Sequence, residues 1–301
     1  MAQNLEERGV IKSFLTSTRR LFQSLVPDND GSFIVSFSES ERVPYHPNTL
    51  FSQGRDSSRL SGLLNHNRYT ISRANTYKQK KAARELIGKM YSQRNYKSEN
   101  LLQESSRLTT FVAYTGSGKL AGTVTVGLDS GDGLFAEESY QEEVDSLRKK
   151  NGKVCEFTCL AVAPEIRSRK VLAGLFHVAM LYASRLFDHS GVIFEVTPQH
   201  GHFYEKMLGM KNIASGRICK RVNTPSVLIH SGFSYIDEQI LKAHGQLQQN
   251  QGSHPVQEPS LYRHFFDKEK EDSIVNRLDG LSEKKKPCPP PAISSPLLAP
   301  N

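Results

Sequence analysis

A carboxylate inside an apolar run, two histidines and a tyrosine at the next strand-to-helix junction, and three cations on one turn could do chemistry in this 301-residue chain. Glu156 lies within VCEFTCLAV, residues 154–162. Alternation along a strand predicts that it shares a face with Thr158, Leu160 and Val162. A carboxylate facing a cleft there could take a proton directly or through a water. It could equally be a structural partner of a nearby arginine. His200 and His202 follow the apolar run GVIFEVT in the phrase PQHGHFY. Either could act as a base, or cap a helix. Tyr204 could present its hydroxyl proton, or pack with that hydroxyl satisfied. Between the two strands, the turn APEIRSRK carries Arg167, Arg169 and Lys170 into the start of a helix. Unpaired N–H groups and the positive dipole end make such a start receptive to phosphate. Arg167 is the best-placed phosphate contact, with a solvated surface arginine as the alternative. Arg169 and Lys170 could steer an acidic partner, or only be solvated.

The elements that must hold these residues follow from hydropathy patterning. Residues 68–74 read as a strand and 76–94 as a helix. Residues 111–114 and 120–128 read as a hairpin closed by a glycine-containing turn. An acidic helix spans about 136–150, its acidic start and basic end matching the helix dipole. A strand at 154–162, a turn and long helix to 187, a strand at 191–197 and a helix ending at Gly209 follow. Further strands are expected near 217–221 and 226–229, a flexible loop at 247–259 and helical pattern at 259–278. This order is α/β, a mixed sheet with helices on both faces. Two neighbouring parallel strands with helices at their carboxyl ends leave a crevice, the usual ligand site of open α/β sheets.

Three regions emerge. Residues 1–66 form an N-terminal extension that could begin with a basic amphipathic helix, suited to a membrane surface or to its own domain. Residues 67–280 are the organised domain. Residues 281–301 are a proline-rich tail of disordered composition. No run is long enough to span a bilayer and no signal peptide is visible, so a cytoplasmic location is the default, with membrane association open. The four cysteines have no zinc spacing and read as free thiols, so no metal is expected. The formal charge of +8 attracts anionic partners. No nucleic-acid-binding motif accompanies it.

Several phrases carry a family resemblance. VAPEIRSRKVLAGL, 162–175, resembles the pyrophosphate loop of GNAT acyltransferases, and FYEKMLGM, 203–210, resembles their later helix. The extra residue before Gly209, the spacing of Pro198, His200, Phe203 and Tyr204, the lead-in LDSGDGLFAEESY, and the later NTPSVLI and SLYRHFF resemble the N-acyl amino acid synthases of the FeeM type in particular. The likeness covers about residues 67–278.

The resemblance implies a GNAT fold whose strands splay to admit a pantetheine arm. It implies transfer of a long-chain fatty acyl group from a thioester to an amino-acid amine, giving an amide. It implies no tightly bound cofactor. The donor would be the acyl-phosphopantetheine of an acyl carrier protein, or acyl-CoA. Backbone groups near Leu160 and Val162 would pair with the pantetheine amides. Glu156 and His200 match family positions, and Tyr204 matches a tyrosine set near the thioester sulfur. The chain departs from the loop pattern where Ser168, Lys170 and Leu172 stand in the places of its glycines. Glycine lets backbone approach a phosphate, so this departure favours the single phosphodiester of a carrier protein over the pyrophosphate of CoA. An acyl-homoserine lactone synthase, an ornithine acyltransferase and a non-catalytic acyl-carrier-binding module remain the alternatives. The absence of tryptophan argues against the first.

Overall fold

Residues 32–39, 68–96, 105–166, 168–249 and 260–283 are described by the structure, a computed structural model. They contribute strands β1 (Phe33–Ser38), β2 (Arg68–Arg73), β3 (Leu108–Thr115), β4 (Leu120–Gly127), β5 (Val154–Val162), β6 (Gly191–Val196), β7 (Lys211–Cys219) and β8 (Thr224–Gly232). The helices are α1 (Tyr77–Ser92), α2 (Glu137–Asn151), α3 (Arg169–Leu181), α4 (Pro198–Leu208), α5 (Phe233–Gln249) and α6 (Lys268–Glu283). All eight strands lie in one open sheet, in the order β1-β2-β3-β4-β5-β6-β8-β7. Every neighbouring pair is antiparallel except β5 and β6. A parallel pair needs a crossover, and α3 supplies it.

The helix boundaries have local causes. Thr76 and Gln79 form a capping box at the start of α1. Ser168 caps α3 by accepting from the Val171 N–H. Pro198 opens α4, where its missing N–H costs nothing, and Gly209 closes it at φ 61°. Arg148, Lys149 and Lys150 sit in the last turn of α2, after Glu137 and Glu138 in the first.

Helices cover both faces of the sheet. One face packs α1 against β4 and β5 through Leu86, Ile87, Cys159 and Ala161, and α2 against β5 and β8 through Tyr140, Val144, Val154 and Leu228. The opposite face packs on α3, which is buried almost all round. A helix apolar on every side must be enclosed, and the segment after residue 260 encloses it. The Phe266 N–H donates to His177 Nδ1 on α3, and His177 Nε2 lies 3.0 Å from Glu271 on α6. The past-helix turn at Tyr182–Leu186 is π-helical.

Two elements differ from the sequence reading. The strand β1 falls in the stretch read as an extension. It pairs with β2 along the sheet edge, and a register shift between Phe33 and Val35 breaks the alternation that would have announced it. The sequence reading places no helix at α5, where Gly245 and a run of glutamines blur the pattern. The N-terminal amphipathic segment and the proline-rich tail lie outside the described residues. Among the described residues, no helix is long and apolar enough to cross a membrane.

Candidate active site

The parallel pair is short. β5 and β6 are in register only at Val154–Gly191, Cys155–Val192 and Glu156–Ile193. Beyond Glu156, β5 runs on to Val162 and β6 to Val196 without pairing to each other. A cavity of about 440 Å³ opens between them, within the roughly 300–1,000 Å³ of small-molecule sites. Phe157, Leu160, Leu172, Phe176 and Phe194 give it apolar walls, and Met90 and Tyr91 of α1 close one side.

A bulge shapes the β5 wall. Thr125 pairs with Thr158 and Thr123 with Ala161, so β5 spends one residue more than β4 over the same step. Cys159 takes up the extra residue at φ 51°, in the left-handed region that side chains seldom enter. The bulge flips the alternation. Glu156 therefore does not share a face with Leu160, contrary to the sequence expectation. Leu160 packs with the cluster that holds Phe157 and Phe176, whereas Cys159 and Ala161 turn to α1.

A buried charge cluster forms the polar end of the cavity. Arg221, at the turn after β7, lines it. Its Nη2 donates to Glu156 Oε1 at 3.5 Å and to Glu195 Oε2 at 3.3 Å, and its Nη1 donates to Thr158 Oγ1 at 3.2 Å. The guanidinium also lies 4.6 Å from the Phe135 ring centroid, a cation–π distance. Glu156 Oε2 accepts from the Phe135 N–H at 2.7 Å and the Ala136 N–H at 3.4 Å. Glu195 Oε1 accepts from Ser226 Oγ at 3.1 Å. Glu156 is fully buried and is not among the residues lining the cavity. Burial pushes its carboxyl above the ordinary range and the charge of Glu195 adds to this, while Arg221 and the two backbone donors oppose it.

The two residues of α4 face the cavity differently. Tyr204 is buried among Phe176 and Phe194, with T-shaped ring contacts at 5.8 and 5.1 Å, and lines the cavity. Burial raises its pKa, so the phenol keeps its proton. His200 also lines the cavity, its Nδ1 2.9 Å from Thr197 Oγ1. Burial, and then Arg94, lowers the His200 pKa, which leaves the imidazole neutral at pH 7.

The start of α3 lies nearby in the chain. Arg169 is exposed, and Lys170 Nζ donates to the Ser38 carbonyl of β1 at 3.3 Å. Burial and then Arg263, Lys170 and Arg169 push the His264 imidazole down to about 4, which marks a local concentration of positive charge. One carboxylate enters it: Glu39 Oε1 accepts from Ser168 Oγ at 3.0 Å, and Glu39 Oε2 from Tyr69 Oη at 3.3 Å.

Comparison with known proteins bears on the family and the fold. The family profile of the N-acyl amino acid synthase FeeM matches residues 82–231. The solved structure of FeeM, an N-acyl amino acid synthase from uncultured soil microbes, superposes with a TM-score of 0.52 at 22% identity, over 59% of this chain and 97% of that one. The chain is a GNAT-superfamily acyltransferase resembling the FeeM-type synthases. An acyl-CoA N-acyltransferase from Pseudomonas aeruginosa gives a TM-score of 0.38 at 14% identity, over 54% of this chain and 97% of that one. No curated protein sequence matches.

The acyltransferase brings together most of the residues singled out from sequence. Leu160, Val162, Leu172, His200 and Tyr204 all line the cavity. Glu156 stands behind its wall. His202 is turned to solvent beside Glu205, 3.7 Å away. Arg167 lies outside the described residues. Arg221 and Glu195 were not singled out. Glu195 did leave a signal, as the one charge in the otherwise apolar run GVIFEVT. Arg221 left none, since one more cation among Arg217, Lys220 and Arg221 marks no site by itself. Cys155, Cys159 and Cys219 are buried and none of them is in a disulfide. Among the described residues no group of three or more His, Cys, Asp or Glu is placed to hold a metal.

Proposed function

We propose that this acyltransferase moves a long-chain fatty acyl group from the thioester of an acyl carrier protein to the amine of an amino acid, releasing an N-acyl amino acid and the free carrier thiol. The observation that carries the reading is the separation of β5 from β6 past Glu156 and Ile193. It leaves the β6-side edge of β5 without a strand partner, beside a cavity walled by aromatic and aliphatic side chains. An extended pantetheine arm can pair with such an edge near Leu160 and Val162, as an added strand would. The apolar walls suit a fatty chain.

The reaction then divides among few residues. The amine must lose a proton before or as it attacks the thioester carbonyl; a C–N bond forms and the C–S bond breaks. His200, neutral and at the cavity, is the proton acceptor in this scheme. Tyr204 keeps its proton and donates a hydrogen bond to the sulfur that leaves as thiolate. Glu156 acts one step back by holding Arg221. The two thiols at the cavity are pushed up to about 11, first by burial, so neither is a ready thiolate nucleophile. Direct transfer to the amine is therefore favoured over an acyl-cysteine intermediate.

The carrier protein is preferred to CoA as donor on two grounds. Arg169, Lys170 and Arg263 offer positive charge to an acidic partner. Glu39, hydrogen-bonded to the hydroxyl that caps α3, places a negative charge where a dense pyrophosphate would be repelled. The domain proper is taken as residues 67–280 joined by the edge strand β1. The test is mass spectrometry of lipid extracts from cells expressing the chain, followed by the purified protein with defined acyl-carrier-protein and acyl-CoA. A new N-acyl amino acid that forms faster from the carrier-bound donor supports the proposal. Transfer only from acyl-CoA, or to amines that are not amino acids, overturns that part of it.

A further inference from the structure

Arg221 is held, but its hydrogen-bonding capacity is not filled. Its contacts with Glu156 and Glu195, at 3.5 and 3.3 Å, both leave from Nη2. Both are longer than the roughly 2.7–2.9 Å of a well-formed guanidinium–carboxylate bond. Its Nε–H is buried and has no acceptor. A guanidinium carries five N–H donors, and a buried donor left unmade is costly. The side chain is 16% exposed, and what it fronts is the cavity, whose walls are otherwise largely apolar.

The charges beside it also matter. Two carboxylates share one guanidinium, so with both ionised the cluster carries a surplus negative charge. A simple anion would find that surplus unfavourable. A zwitterion would not: it presents an ammonium to the carboxylate side and a carboxylate oxygen to the open edge of Arg221. A free α-amino acid carries those two charges next to each other. A plain amine offers only the first, and a fatty acid only the second.

We infer that Arg221 is the specificity-determining residue for the acceptor, reading the carboxylate that sits beside the reacting amine. The inference rests on the transferase reading above for the identity of the cavity. It goes beyond it by naming the group that tells an amino acid from an amine. Arg221 touches the acceptor carboxylate rather than the reacting atoms. Glu156 and Glu195 set its orientation from behind, with Ser226 fixing Glu195 through its 3.1 Å bond.

The test is binding of two acceptors to the full chain by calorimetry: tyrosine and tyramine, which differ only in the carboxylate. The wild type should bind the first at least about tenfold more tightly. Arg221→Gln should bring the two affinities together. Because Arg221→Gln leaves two buried carboxylates unpaired and could unfold the protein, the double variant Glu156→Gln/Arg221→Met provides a second arm with the same expected loss of preference. Equal binding by the wild type, or a preference that survives in a folded Arg221 variant, overturns the inference. Initial rates with a dodecanoyl carrier protein and tyrosine or tyramine separate the two levels of argument. Turnover of both acceptors at equal rates leaves the transferase reading standing and removes the role of Arg221. Turnover of neither removes the transferase reading, and the binding ratio still decides whether Arg221 reads the carboxylate.

Discussion

Tyr204 and His200 sit one turn apart on α4, and the proposed reaction gives them opposite tasks. The tyrosine is enclosed by rings and keeps its proton, whereas the histidine loses its own readily. Tyr204→Phe should therefore lower kcat by about 10²-fold with little change in melting temperature, because no hydrogen bond within the described residues is lost. Steady-state kinetics beside a thermal melt checks this; an unchanged kcat removes Tyr204 from the reaction. His200 gives a pH signature. A base must be unprotonated to work, and its pKa lies below the usual histidine value of about 6.5. The acid limb of kcat/KM should thus fall below about pH 6.5 and disappear in His200→Gln. Both residues were singled out in the sequence by their match to family positions, whereas the strand-to-helix junction alone did not separate His200 from His202. The charge cluster was only half legible. Glu195 interrupts an apolar strand, but the arginine that meets it comes from a distant turn, and nothing in the local pattern links the two.

At the scale of elements, α4 is the part whose placement matters most to the site. It lies close on β8: a Cβ at Gly201 would come within 2.7 Å of Val227 Cγ2. Gly201→Ala should cost about 1–3 kcal/mol of stability by overpacking and should lower activity as well, since the helix that shifts carries His200 and Tyr204. Urea unfolding and kcat, measured together, check this; a stable and fully active variant would show that α4 tolerates displacement. The same close approach was invisible in the sequence, where Gly201 looks like a poor helix residue between two histidines. Strand periods located β2 to β6 within a few residues. They could not show the bulge at Cys159, because an inserted residue in a strand of Cys, Thr, Leu and Ala leaves the composition of an ordinary strand. Missing it turned one expected face of β5 the wrong way.

For the whole molecule, the excess of positive charge becomes specific only through where some of it lies. Arg169, Lys170 and Arg263 come from two segments far apart in sequence and crowd His264 together. If they receive an acidic carrier protein, the KM for the acyl-carrier donor should rise steeply with salt. Raising ionic strength from about 0.1 M to about 1 M shortens the screening length from about 10 Å to about 3 Å. A salt-independent KM, measured across that range, would assign those cations to solvation alone. Segment order was enough to place the chain in the α/β class, and the family resemblance named the fold, but neither foresaw that the stretch after residue 260 encloses α3.

That enclosure sets an order of assembly. Arg277 on α6 donates to the Ile34 carbonyl of β1 at 2.7 Å, joining the first described strand to the last helix, and the Leu261 N–H and Tyr262 hydroxyl tie the same segment to the end of α4. Contacts that span most of the chain close late and slow folding. On the ribosome, the end of α4 cannot reach its final support until Leu261 and Tyr262 have emerged, nor the edge strand until Arg277 has. From the completion of α3 until the segment after residue 260 is made, the nascent chain would carry this apolar helix with its outer side uncovered, so a stall or truncation near residue 260 should yield a sticky, inactive fragment rather than a slower enzyme.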